Sequence, residues 1–250
     1  MLAYLSRSAF VILCLPLTFS AHSLTTEAEK NSLKNVIPAF KANYTLLHKG
    51  DPVGKAVREL SYQKDGKTTY HYHTDIKWLI FSDKRSETSQ VIVNNNQVIP
   101  QHYVYSREGT GRDKNYEWQY DIANKKAKDL KKERQITIDI TEGLQDKLSY
   151  HLQHRLNLIE NPEQKRFSYP VISTSGSIKD YVYQYDGEEE LMLPYGLVKT
   201  IRLKREVTAK KRVTYAWFAP ELNYLLVKLY QVKAGAEQFE AQLASIENNK

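Results

Sequence analysis

Gln63-Lys64-Asp65-Gly66-Lys67-Thr68-Thr69-Tyr70-His71-Tyr72-His73-Thr74-Asp75-Ile76 decides the class of fold. Asp65-Gly66 is the two-residue turn that joins antiparallel strands whose twist it matches. After it, Thr69, His71, His73 and Asp75 alternate with Tyr70, Tyr72 and Thr74. A strand sends successive side chains to opposite faces, so this reads as a half-buried strand over 68–76. Residues 55–63 form its partner. Upstream, Phe40, Ala42, Tyr44 and Leu46 alternate with Lys41, Asn43 and Thr45, another strand, and 49–54 reads as the loop between.

The pattern continues downstream. Residues 87–93 and 97–107 flank Asn94-Asn95-Asn96. Gly109-Thr110-Gly111 precedes a strand over 116–121, a Lys-rich loop or hairpin spans 123–134, and 135–140 is a short strand. Tyr181, Tyr183 and Tyr185 alternate up to a turn at Asp186-Gly187, and Leu191-Met192-Leu193 leads into Pro194-Tyr195-Gly196. Strands over 198–207, 212–218 and 224–233 complete the set. Connections this short favour an antiparallel meander. One segment breaks the period: Leu144, Leu148, Leu152 and Leu156 recur every four residues, which predicts a helix over about 144–159 entered at Thr141-Glu142-Gly143. The expectation is a mainly β protein, a curved antiparallel sheet or half-barrel with one main helix packed on it.

The first 23 residues read as a secretory signal peptide. Arg7 is the positive end, 8–20 the short apolar run, and Ala21-His22-Ser23 the small-x-small cleavage site. The expected organisation is signal peptide 1–23, flexible lead-in 24–38 and a single β-rich domain 39–250. It leaves no transmembrane span in the mature chain and implies the periplasm. The sole cysteine, Cys14, lies in the apolar run; with Leu13 before it, the site departs from a lipidation signal. The mature chain then has no thiol for cysteine catalysis or disulfides. Net charge is +7, about +6 once Arg7 leaves, which suits anionic lipid headgroups and envelope polymers; nucleic acid is not an expected partner there.

No catalytic signature emerges. Gly-x-Ser-x-Gly is absent, and Ser175-Gly176-Ser177 sits in a loop. His71 and His73 share a strand face, and His151 and His154 a helix face; closing a metal site would need a third ligand from elsewhere, such as Asp75 or His102, and no zincin-type spacing is present, so no metal and no cofactor is expected. The reading is therefore non-enzymatic. Among the tyrosines and tryptophans, Tyr72, Trp78, Tyr103, Trp118, Tyr183 and Trp217 are candidates for the lining of a concave cleft, or equally for a filled core. Asp146 and Arg155 on the helix either anchor a ligand head or pin the helix to the sheet. Trp78-Leu79-Ile80-Phe81 is too apolar for a free loop, and either enters the core or exposes a patch. The basic runs 125–132 and 204–212 either attract phosphorylated headgroups or are solvated hairpin tips.

Several pieces, in order, carry a family resemblance. Asp146-Lys147-Leu148-Ser149 with Leu152 and Arg155 resembles the Asp-x-Leu-Ser…Leu…Arg helix of exported bacterial domain-of-unknown-function family 3108. Phe40…Tyr44 with Gly54 resembles its opening strand pair, and 98–103 its Pro-x-x-aromatic strand. The run from Tyr183 through Gly187, Glu189, Leu191, Pro194, Gly196, Val198 and Thr200 resembles its central hairpin. Trp217-Phe218-Ala219-Pro220 with 225–228 resembles its closing pair, with Leu226 where the family often has proline. The resemblance spans about 39–243. It implies an envelope location and no assigned reaction. By fold-level analogy it suggests a half-barrel like those of lipoprotein carriers. The function expected is binding of a hydrophobic or amphipathic envelope ligand, a lipid or acyl chain; the alternative is a scaffold or assembly factor that binds a protein partner.

Overall fold

The computed structural model describes residues 33–64, 66–138 and 143–248. The expected signal peptide, the first part of the lead-in, Ile140 and the helix entry at 141–142 lie outside them. The alternating runs pair into one antiparallel sheet of fourteen strands. Its centre is the seam between the two ends of the chain. β1 (Phe40–His48) pairs with β2 (Asp51–Tyr62) on one side and with β14 (Ala236–Asn248) on the other. From β1 the chain meanders outward through β3 (Thr68–Trp78), β4 (Phe81–Asn94), β5 (Gln97–Gly109), β6 (Lys114–Asp121) and β7 (Lys126–Asp129) to the edge strand β8 (Arg134–Thr137). It resumes at the opposite edge with β9 (Arg166–Ile172). From there it returns through β10 (Ile178–Leu193), β11 (Gly196–Val207), β12 (Arg212–Ala219) and β13 (Leu225–Lys233) to β14. Irregularities in pairing at 43/44, 46/47, 90/91, 217/218 and 231/232 bend these strands.

The crossover from β8 to β9 carries the main helix. A short helical turn at 33–36 is α1, and the main helix, α2, runs Ser149–Glu160. α2 starts five residues later than the leucine spacing predicts. The reason is the cap. The Asp146 carboxylate accepts the Leu148 and Ser149 N–H groups at 2.7 Å each, and Ser149 Oγ accepts the Asp146 N–H at 2.9 Å. This reciprocal capping box fixes where the helix begins. Before it, Gln145 pairs with the β9 edge: its N–H donates to the Pro170 carbonyl and its carbonyl accepts the Ile172 N–H. Its Nε2 also donates to the Val98 carbonyl at 2.7 Å on β5. Residue 145 thus ties two distant strands across the open side of the sheet. Near the β8 edge, Arg134 Nη2 donates to the Ser175 carbonyl at 3.3 Å.

Three further expectations change. Asp51–Gly54 is the start of β2, not a loop, since it pairs with the end of β1. Asp186-Gly187 is not a turn. β10 runs through it as one sixteen-residue strand with a bulge between Tyr185 and Gly187. The lead-in is not free from Leu33 onward: Leu33 and Ile37 are buried, and Tyr62 Oη donates to the Ile37 carbonyl at 2.6 Å. Asn94–96 does turn, with Asn95 and Asn96 both at positive φ. The interior is largely filled. One apolar cluster runs from Leu33 and Phe40 through Leu60 to Trp118 and Leu152, and a second packs Tyr150 and Leu158 of α2 against Phe167, Leu203 and Phe218.

Candidate site: a cationic cleft beside the crossover helix

β2 alternates Ala56, Arg58 and Leu60 toward the interior, so a guanidinium stands in a row of apolar side chains. Arg58 is only 6 % exposed. Its Nη1 donates to Tyr70 Oη at 3.3 Å, and the guanidinium lies 5.1 Å from the centre of the Tyr72 ring, its cross-strand neighbour. Among the described residues no carboxylate comes within 4.0 Å of it. A buried cation without a counter-charge is costly, and an anion brought by a ligand would offset that cost.

The space beside Arg58 is a cleft of about 40 Å³, lined by Tyr44, Tyr72, Leu226, Leu229 and Phe239 among others. Tyr44 Oη donates to the Leu226 carbonyl at 2.7 Å, and burial pushes its hydroxyl well above the usual tyrosine range. Electrostatics tie the cleft to α2. Burial, then the charge of Arg58, then His154 and Arg205 drive His151 well below the usual histidine range, so His151 is neutral at pH 7. Arg205 of β11 lies 3.5 Å from the centre of the Tyr181 ring and also has no carboxylate within 4.0 Å among the described residues. The Tyr183 hydroxyl is raised first by burial and lowered in turn by Arg205 and Arg58. The concave face thus presents two unpaired guanidinium groups, a neutral imidazole and tyrosine hydroxyls over an apolar floor. This arrangement can hold an anion with an apolar body attached. The carboxylates nearby are engaged: Glu87 accepts Tyr103 Oη at 2.7 Å, and Asp83 accepts Arg85 at 2.6 Å and Arg107 at 2.8 Å.

The structure divides the sequence candidates. Tyr72 lines the cleft. Tyr103 and Trp118, cross-strand neighbours at 1 % and 0 % exposure, belong to the filled core. Tyr183 packs against α2, its hydroxyl 3.3 Å from Tyr150 Oη. Trp217 lies on the opposite face of β12 from Ala216 and Phe218; it sits under Arg202 and Lys228, with Nε1 donating to Glu189 at 2.7 Å. Trp78 is on an exposed hairpin tip against His48. Asp146 is fully buried as the α2 cap and takes a 2.5 Å bond from Ser89 Oγ; burial pushes its carboxyl up to about 6. Arg155 donates Nε to the Asn223 carbonyl at 2.7 Å and Nη2 to the Leu222 carbonyl at 3.0 Å. It thereby pins α2 to the turn at Pro220–Leu222. Both charged residues of the helix motif hold the helix in place and neither faces the cleft. His154 is also occupied, with Nδ1 2.8 Å from Tyr169 Oη and burial pushing it down to about 3. His71 bonds Thr88 Oγ1 at 2.9 Å. Among the described residues, no three His, Cys, Asp or Glu side chains cluster as metal ligands. Sequence reasoning missed Arg58, whose signal was a lone cation at an inward position of an otherwise apolar strand face.

Comparison with known proteins agrees with this architecture. A β-barrel-like protein of domain of unknown function DUF1849 from Brucella abortus superposes with a TM-score of 0.54 at 10% identity, over 86% of this chain and 99% of that one. Weaker likenesses are a candidate lipoprotein from Parabacteroides distasonis (TM-score 0.35, 9% identity, 85% of this chain and 98% of that one) and a candidate exported protein with a YmcC-like fold from Bacteroides fragilis (TM-score 0.32, 10% identity, 83% and 95%). These two fall below the similarity at which a shared fold can be argued. No curated protein matches the chain. The model of the family DUF3108, described as a protein of unknown function, matches residues 40–242, and the chain belongs to that family.

Proposed function

We propose that this is a non-enzymatic extracytoplasmic protein that binds an anionic amphiphile of the cell envelope in the Arg58 cleft. The observation that carries the reading is Arg58 itself, a nearly buried guanidinium without a carboxylate partner among the described residues, beside open volume. Tyr72, on the cleft lining, carries a hydroxyl that can add a further contact to a phosphate or carboxylate. The cleft volume admits about two or three water-sized groups, which suits a charged head rather than an acyl chain. In this reading the apolar remainder lies over Leu229 and Phe239. The signal peptide expected from 1–23 supports the compartment. The described residues include no helix long and apolar enough to cross a membrane.

The test is native purification from the exported fraction, followed by mass spectrometry of bound lipid and by displacement of a fluorescent fatty acid. The wild-type protein is expected to carry an anionic amphiphile and to release the probe competitively. Arg58→Gln is expected to lose both. A wild-type protein that carries no lipid and does not bind the probe overturns the reading.

A further inference from the structure

We propose that the Trp78–Phe81 hairpin tip is a membrane-seating element that sets this end of the sheet on an anionic lipid surface. Trp78 pairs with Phe81, and Leu79 and Ile80 form the two-residue turn between β3 and β4. The four side chains are 45%, 90%, 99% and 41% exposed. Leu79 also holds a φ of 54°, the left-handed region that disfavours a leucine. The same sheet contains a control. At the opposite end, the β4–β5 turn uses Asn95 and Asn96 at φ 48° and 58°, residues suited to that backbone. The β3–β4 turn has positive φ at Leu79 alone and puts a leucine where that backbone favours glycine or asparagine, and neither Leu79 nor Ile80 is buried by the fold. Folding supplies no reason for these residues, so the reason lies outside the chain.

The tip is convex, which fits it to enter a surface. Apolar residues at the point with Trp and Phe behind them match the headgroup-to-acyl boundary, where aromatic rings prefer to sit. Cations outnumber carboxylates around it. Lys77 and Lys84 flank it in the same hairpin, Lys84 lying 4.0 Å from Asp75, and the two neighbouring turns at that end carry Lys49, Arg112 and Lys114 alongside Asp51, Glu108 and Asp113, all but Asp75 exposed. Asp83, the nearest carboxylate in the hairpin, is closed off by Arg85 and Arg107. Lys and Arg near a bilayer are drawn to anionic lipid. The tip is also braced. The Thr110 N–H donates to the Ser82 carbonyl at 2.7 Å, the Ser82 N–H donates to Thr110 Oγ1 at 3.0 Å, and the Trp78 ring stands 4.9 Å from that of His48. Binding therefore orders little that was free. Phe239 of the cleft lies near the start of β14, beside the β13–β14 turn at this same end.

The experiment is flotation of the exported protein with vesicles of phosphatidylcholine alone or mixed with phosphatidylglycerol, with tryptophan emission recorded in parallel. Trp118 and Trp217 are 0% and 6% exposed, so a blue shift on mixing reports Trp78. The expected result is binding to the anionic vesicles, weakened by salt, with a blue shift. The variant Leu79→Gly/Ile80→Ser installs residues the turn favours, so its thermal midpoint should hold or rise while vesicle affinity falls about tenfold or more. Equal binding by both proteins, or no binding by wild type, overturns the proposal. So does a lipid-free self-association lost in the variant, which would give the tip to a second copy of the chain. Leu79→Gly/Ile80→Ser should still bind the fluorescent fatty acid like wild type, since neither residue lines the cleft, which separates this proposal from the ligand reading.

Discussion

Asp146→Asn should stabilise the protein at neutral pH and remove part of its pH dependence. Asp146 is wholly buried, and its carboxyl is pushed from 3.8 up to about 6, chiefly by burial and against the pull of its bonds to Ser89, Ser149 and Leu148. Each pH unit of separation is worth about 1.4 kcal/mol, so keeping this group ionised in the folded state costs about 3 kcal/mol at pH 7. The sign follows from the raised value. The native state holds this proton more tightly than the unfolded chain, so its stabilising contribution is complete below pH 3.8 and is lost as pH rises through about 6. Asparagine keeps an oxygen for the Leu148 and Ser149 N–H groups and offers an N–H to Ser89 Oγ, whose hydroxyl can rotate to accept. The assay is urea denaturation of both proteins at pH 4, 5, 6 and 8. The difference between variant and wild type cancels the other titrating groups. It should grow by about 2 kcal/mol in favour of asparagine from pH 4 to pH 8, nearly all of it between pH 4 and 6. A difference that stays flat over that range refutes the argument, because the carboxylate would then be paid for within the fold.

Other substitutions probe separate joints. Gly54→Ala should cost about 3 kcal/mol in the denaturation midpoint, since a Cβ there would lie 2.2 Å from the Asp75 carbonyl oxygen, a backbone atom of the paired strand. Arg155→Met should cost about 2–4 kcal/mol by leaving the Leu222 and Asn223 carbonyls without their donors, and Arg155→Lys should not restore the loss because an ammonium cannot reach both in the fork geometry. Arg58→Met should raise stability by about 1–2 kcal/mol in thermal unfolding while abolishing binding of the fluorescent fatty acid, the trade expected of a cation kept buried for a ligand.

Much of the architecture was written locally. The alternation in 68–76, the asparagine turn at 94–96 and the leucine spacing of the crossover helix each depend on neighbours in the chain. Strand and helix periods therefore showed them, with the helix start misplaced because a cap is a side-chain bond and not a period. The aromatic candidates fared less evenly. Tyr72 reached the cleft, but Trp118 was spent on the core and Trp217 on the other face. Tyr183 and Glu189 show why. They share a parity along β10, yet the bulge after Tyr185 sends them to opposite faces, and no local pattern marks where an extra residue enters a strand.

The amino-acid order by itself determined the β class, most of the hairpin succession and the single covering helix, because those are short-range consequences of side-chain period and turn chemistry; whether 78–81 entered the core or stood exposed was left to the tertiary structure. Only the tertiary structure decided what the concave face contains. The interior is assembled by joining Phe40 to Asn248 at the seam and by carrying α2 from one sheet edge to the other. The cleft beside Arg58 is lined from β1, β2, β3, β13 and β14, and it exists only once strand registers far apart in the chain are fixed.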